Sequence, residues 1–143
     1  VEVHERTNIR HVRPGDLGPP VELVVADLSF ISLRTVLPAI LALVAPAAHL
    51  VLLVKPQFEA GRAEVSKGRG VVTAPDTWRR VVLDVLGALR EGGAAIMGAM
   101  VSPLTGADGS VEFLGHAMAG PADALVDVEA LVDSVVLDAE RRR

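Results

Sequence analysis

The sequence has no cysteine, no tyrosine, a single tryptophan and three phenylalanines. Without cysteine, disulfides and thiolate zinc sites are excluded, and a reducing compartment fits, which makes the cytoplasm the expected location. An excess of positive charge is also missing: 14 Lys and Arg stand against 18 Asp and Glu, a net charge of −4. The chain as a whole therefore does not attract nucleic acid, and any RNA contact must come from a local basic patch or a partner module. No basic-then-apolar leader opens the sequence, so no signal peptide is expected. P-loop, GxGxxG and serine-elbow patterns do not occur. His4, His11, His49 and His116 show no metal-ligand spacing, so they read as structural.

What is present is aliphatic. Of the 143 residues, 50 % are hydrophobic, mostly Val, Leu and Ala, enough for one domain with a real core. Residues 35–54 carry no Asp, Glu, Lys or Arg, which is long enough to span a bilayer. Pro38, Pro46 and His49 divide that stretch, however, into a helix over 32–44, a turn at 45–48 and a buried strand at 49–54, so no stable membrane insertion is expected.

Strands are expected at 22–26, 49–54, 94–101 and 110–118, with a strand fragment at 1–4. Ser32 should cap the first helix, Thr73 or Asp76 a second running to about Arg90, and Asp123 or Asp127 a last one fraying into a solvated tail at Arg141, Arg142 and Arg143. Residues 57–72 read as a long loop. Strands alternating with helices imply right-handed crossovers and a mostly parallel α/β sheet with helices on both faces. The short link between the last two strands implies a hairpin, hence one antiparallel strand.

Ligands of open α/β sheets lie beyond the carboxyl ends of the strands. Asp27 ends the first full strand, where a site carboxylate and a turn residue are both consistent readings. Lys55 ends the next strand after an apolar run; it is either a partly desolvated amine usable as a base or a lysine reaching to the surface. Glu112 opens the last strand, at the same sheet end if that strand is antiparallel, or else faces outward. All three phenylalanines stand beside these residues: Phe30, Phe58 and Phe113. Crevice lining and core filling account for them equally. Arg62, Lys67 and Arg69 make a small basic cluster that could contact RNA phosphates or simply be solvated.

Several blocks then become recognisable in order and spacing. They are Glu5-Arg6-Thr7-Asn8, Ala26-Asp27-Leu28-Ser29-Phe30-Ile31-Ser32-Leu33, Lys55-Pro56-Gln57-Phe58-Glu59, Gly70-Val71-Val72, and Ser102-Pro103-Leu104 followed by Gly109-Ser110-Val111-Glu112-Phe113. Up to about Met118 the chain resembles the hemolysin A (TlyA) family of ribosomal RNA methyltransferases, within the FtsJ-like group. The resemblance implies a Rossmann-like methyltransferase sheet, S-adenosyl-L-methionine as cofactor, and methyl transfer to a ribose 2′-hydroxyl of ribosomal RNA, with rRNA or a ribosomal subunit as partner. Asp27, Lys55 and Glu112 match the last three members of the family's Lys-Asp-Lys-Glu tetrad. Thr7, Asn8, Asp27 and Leu28 match positions expected near the cofactor, and Ser110 stands where the family usually has Asn.

The same resemblance implies what residues 1–143 do not match: an S4-like RNA-binding module, the first tetrad lysine, and the first strands with their glycine-rich loop. The expectation is a partial methyltransferase domain with an impaired cofactor site. The strand ending at Asp27 would then have an open edge, which a homodimer could pair. The competing expectations are a non-catalytic fragment acting by self-association or RNA contact, and a membrane-active hemolysin. The broken apolar stretch and the lack of a cationic amphipathic helix argue against the last.

Overall fold

A computed structural model describes residues 1–120 and 126–143, except for the side chain of Lys67. Four strands form one sheet in the order β1-β2-β4-β3: β1 (Val21–Ala26), β2 (Val44–Val54), β3 (Ala94–Val101) and β4 (Phe113–Ala119). β1 and β2 are parallel, whereas β4 runs antiparallel to both β2 and β3. This is the mixed α/β sheet with a terminal hairpin and one reversed strand that the alternating pattern predicts.

α1 (Leu33–Leu41) begins at Ser32, whose hydroxyl accepts from the Arg34 N–H. Its buried residues Leu33, Val36, Leu37 and Ile40 follow helical spacing along one stripe. α4 (Pro75–Glu91) buries Trp78, Val81, Val82, Val85, Leu86 and Leu89 in the same way. Neither Thr73 nor Asp76 caps it: Ala74 is the N-cap, and Pro75 at the first helical position has no N–H to satisfy. α5 (Val128–Arg141) is capped by Asp127, which accepts from the Ala130 N–H; Asp123 lies outside the described residues.

Three further expectations change. The segment at 1–4 forms no strand, and Val1 and Val3 are exposed, because no strand lies alongside to complete a ladder. The turn expected at 45–48 is the irregular start of β2, where a register shift against β1 between Val21 and Leu23 takes up the extra residues. The loop at 57–72 contains two short helices, α2 (Pro56–Glu59) and α3 (Arg62–Lys67). Residues 35–54 divide between α1 and β2, and no helix among the described residues is long and apolar enough to cross a membrane.

α4 packs between α1 and α5, so the three long helices form one layer. They cover the sheet face carrying Leu50, Leu52, Val54, Phe113 and Ala117. Side chains alternate along a strand, so the opposite face carries Leu23, Val25, Val51, Leu53, Leu114 and Met118. Of these, Leu23 and Val25 are exposed and the rest half-buried. Helices were expected on both faces; among the described residues the long ones cover a single face. Among the described residues the outer edge of β1 has no paired strand, as expected.

Candidate active site

The carboxyl ends of β1 and β2 bring Asp27 and Lys55 together. Lys55 Nζ lies 2.5 Å from Asp27 Oδ1 and 3.4 Å from Ser29 Oγ, to which it can donate. The lysine side chain is only 13 % exposed and the aspartate 66 %. The lysine side chain is thus largely enclosed by the fold, whereas the aspartate is open to solvent. Parallel pairing of Ala26 with Leu52 sets the two strand ends side by side. Pro56 then stops the ladder and starts α2.

Glu112 reaches the same sheet end from β4. Val54 pairs with Phe113, so Lys55 and Glu112 are the next residues outward on adjacent strands. Glu112 is buried, and its Oε1 accepts from Gln57 Nε2 at 3.3 Å. Its side chain is therefore tied to the lysine segment through Gln57, not bonded to Lys55. The loop before it is held by Ser102 N–H donating to Glu112 O and Gly106 N–H donating to Ser110 O. Glu112 also borders a cavity of about 150 Å³ with Ser102, Arg142 and Arg143. The arginine triplet is thus more than a solvated tail. Arg143 donates to Thr73 O at 3.0 Å and lies 5.4 Å over the Trp78 ring, and Arg142 pairs with Asp138 at 2.7 Å.

Phe30 and Phe58 form a tilted aromatic pair, 5.1 Å between centroids, beside the Asp27 and Lys55 loops. Phe30 is 90 % exposed and has a φ of 62°, a left-handed backbone that a bulky residue rarely adopts. Arg62 joins both rings in lining an open cavity of about 440 Å³. Phe113 instead packs edge-on against Trp78 in the core. Of the basic cluster, Arg62 reaches this cavity, Arg69 is exposed on the following turn, and the Lys67 side chain is outside the description.

Thr7 and Asn8 lie on the exposed segment before β1. The Thr7 hydroxyl donates to Glu5 O, and Asn8 Oδ1 accepts from Arg10 N–H, capping a 3-10 turn at Ile9–His11. Both polar groups thus have local partners. Leu28 is half-buried beside Asp27 and packs against the core.

Sequence reasoning assigned no role to Glu59, Ser29 or Gln57, although all three stand in the recognised blocks. Glu59 is 5 % exposed. Its Oε2 accepts from Ser32 Oγ and its Oε1 from the Leu33 N–H, each at 2.6 Å. Its partners Ser32 and Leu33 lie 27 and 26 residues away, so no local pattern in the sequence marks it.

Residues 1–118 match the sequence model of the FtsJ-like methyltransferases. The chain belongs to the FtsJ-like methyltransferase family. It is 50 % identical, over 113 residues, to the 16S/23S rRNA (cytidine-2′-O)-methyltransferase TlyA of Mycobacterium tuberculosis, covering 79 % of this chain and 42 % of that protein. YqxC of Bacillus subtilis, which bears an rRNA-methyltransferase name, is 43 % identical over 118 residues, covering 81 % of this chain and 41 % of its own length. A solved hemolysin-named protein of Streptococcus thermophilus superposes with a TM-score of 0.81 at 29 % identity, over 96 % of this chain and 50 % of that one. The chain thus spans less than half the length of these curated relatives.

Proposed function

We propose that residues 1–143 form part of the catalytic domain of an S-adenosyl-L-methionine-dependent methyltransferase acting on a ribose 2′-hydroxyl of ribosomal RNA. The observation that carries this reading is the Lys55 amine held between Asp27 and Ser29 at the strand ends, on a largely enclosed side chain. A ribose hydroxyl is a poor nucleophile until its proton is removed. Lys55, in its neutral form, takes that proton at Nζ. Asp27 fixes the amine's direction, and Glu112, through Gln57, fixes the segment that carries it. The Phe30–Phe58 pair offers an aromatic surface for an unstacked base, with Arg62 beside it for a phosphate. Placing the hydroxyl and the base in one geometry supplies much of the rate.

The residues present fit one side of the cofactor. The outward Asp27 carboxylate suits a cationic sulfonium, and Leu28 offers an apolar flank. Thr7 and Asn8 are satisfied locally and would contribute mainly through their backbone. When bound, S-adenosyl-L-methionine supplies the methyl group as an electrophile. The remaining contacts would come from sequence of the kind that the longer relatives possess. Calorimetric titration with S-adenosyl-L-methionine should therefore give weak or no binding to residues 1–143, and firm binding once the protein is extended to the relatives' length. The extended protein should methylate ribosomal subunits, and Lys55→Ala should abolish transfer. Retained transfer in that variant would overturn the assignment.

A second reading, self-association, is favoured by the unpaired edge of β1 and the exposed Leu23 and Val25 beside it.

A further inference from the structure

Two loops must keep their spacing for Lys55 to meet Asp27. One follows β1 and carries Asp27, Ser29 and Phe30 into Ser32 and α1. The other follows β2 and carries Lys55, Gln57 and Phe58 into Glu59. The hydrogen bonds from Ser32 Oγ and the Leu33 N–H to the two oxygens of Glu59 join them, and Arg34 adds an Nε contact to Oε2 at 3.5 Å. Arg34 also donates through Nη2 to Glu59 O at 3.4 Å. The carboxylate is buried, and its hydrogen bonds and ion pair go to Ser32, Leu33 and Arg34 rather than to Lys55 or Asp27.

We infer that Glu59 is a positioning residue: its carboxylate locks the lysine loop to the aspartate loop and thereby sets the Lys55–Asp27 pair. This rests on the reading of Lys55 as the base. The site demands two acceptors, because Ser32 Oγ already accepts from Arg34 N–H and turns its own proton to Glu59. Glutamine has one acceptor oxygen and would aim its NH₂ at a donor. A chain of charges extends the lock. Arg34 Nη1 lies 3.8 Å from Asp84, Arg80 Nη1 lies 3.5 Å from Asp84, and Arg80 Nη2 lies 2.5 Å from Glu64 on α3. The lysine segment is therefore held at Glu59 and again at Glu64. Removing the buried anchor frees the end nearer the amine.

The test uses residues 1–143 with ¹³C-labelled lysine ε-carbons. In Glu59→Gln the Lys55 ε signal should move onto the position it takes in Asp27→Asn, while the far-ultraviolet spectrum stays as in the parent. A Lys55 signal unchanged in a folded Glu59→Gln protein would overturn the inference. If that variant does not fold, Ser32→Ala removes one of the two donors and should move the same signal part of the way; an unmoved signal there overturns it equally. In the protein extended to its relatives' length, Glu59→Gln should lower kcat about tenfold or more, with KM for S-adenosyl-L-methionine within about twofold, as loss of alignment predicts. Glu59→Asp should restore part of kcat. Unchanged kcat would sink the inference. If the extended parent itself transfers no methyl group, the proposed function fails, and the Lys55 signal alone decides the role of Glu59.

Discussion

Gly106 faces the Glu112 carboxylate so closely that a β-carbon built on it would collide with Oε1 and Cδ. The backbone at Gly106 has a φ of −74°, so glycine is needed here for space and not for a left-handed turn. Gly106→Ala should therefore push Glu112 off Gln57. Overpacking of this kind costs about 1–3 kcal/mol, readable as a lower urea midpoint with an unchanged slope, and methyl transfer by the extended protein should fall with it. A midpoint equal to the parent's would show that the loop yields freely.

Lys55→Arg tests the base directly. Guanidinium keeps the positive charge and the pairing with Asp27, but it does not lose its proton in the physiological range. The variant should be as inactive as Lys55→Ala. Because the Asp27 side chain is two-thirds exposed, the pair contributes less than about 1 kcal/mol to folding. Both variants should melt near the parent temperature in scanning calorimetry.

Phe30→Gly should separate stability from binding. Removing a left-handed, exposed phenylalanine relieves backbone strain of about 1–3 kcal/mol, partly offset by the greater freedom of glycine in the unfolded chain. Stability should hold or rise, while affinity for single-stranded RNA, measured by fluorescence anisotropy, should fall by the order of one lost stack, about 1–3 kcal/mol.

Glu64 gives a pH signature. The hydrogen bond from Arg80, then that from the Gly61 N–H, lowers its pKa below the ordinary 4.5. A depressed folded pKa means that the contribution is fully present above the unfolded value and is lost as pH falls through the folded one. The stability difference between the parent and Glu64→Gln should accordingly be constant at neutral pH and shrink below about pH 4.5 in urea titrations.

If β1 pairs with its copy in another molecule, sedimentation equilibrium should show a concentration-dependent dimer. Leu23→Lys with Val25→Lys should return it to monomer, because edge lysines block strand addition.

The sheet was legible where apolar runs end in a polar residue and a turn. Ala26-Asp27 and Val54-Lys55 mark their strand ends in the letters, and Ala94–Val101 is bounded by Gly92-Gly93 and Ser102-Pro103. The fragment at 1–4, expected to lack its neighbouring strand, forms no strand at all: alternation shows only that a segment can pair, and no ladder forms without a partner. The cap of α4 was misread because Pro75 makes a side-chain cap unnecessary. Asp27, Lys55 and Glu112 were found as strand-end residues, but the bond from Gln57 to Glu112 depends on side-chain packing between the ends of β2 and β4, which lie 55 residues apart in sequence. Glu59 was invisible for the same reason: its partners lie 26 and 27 residues away in sequence, and no local pattern records them.

The two anchors of the lysine segment differ in kind. Glu59 is gripped inside the protein, whereas Glu64 and Arg80 are half-open to water. Dissolved salt weakens exposed charge pairs far more than enclosed ones. Raising ionic strength would therefore loosen only the outer end, and the segment would swing about Glu59 like a door on its hinge, carrying Arg62 outward while Lys55, on the hinge side, stays in place.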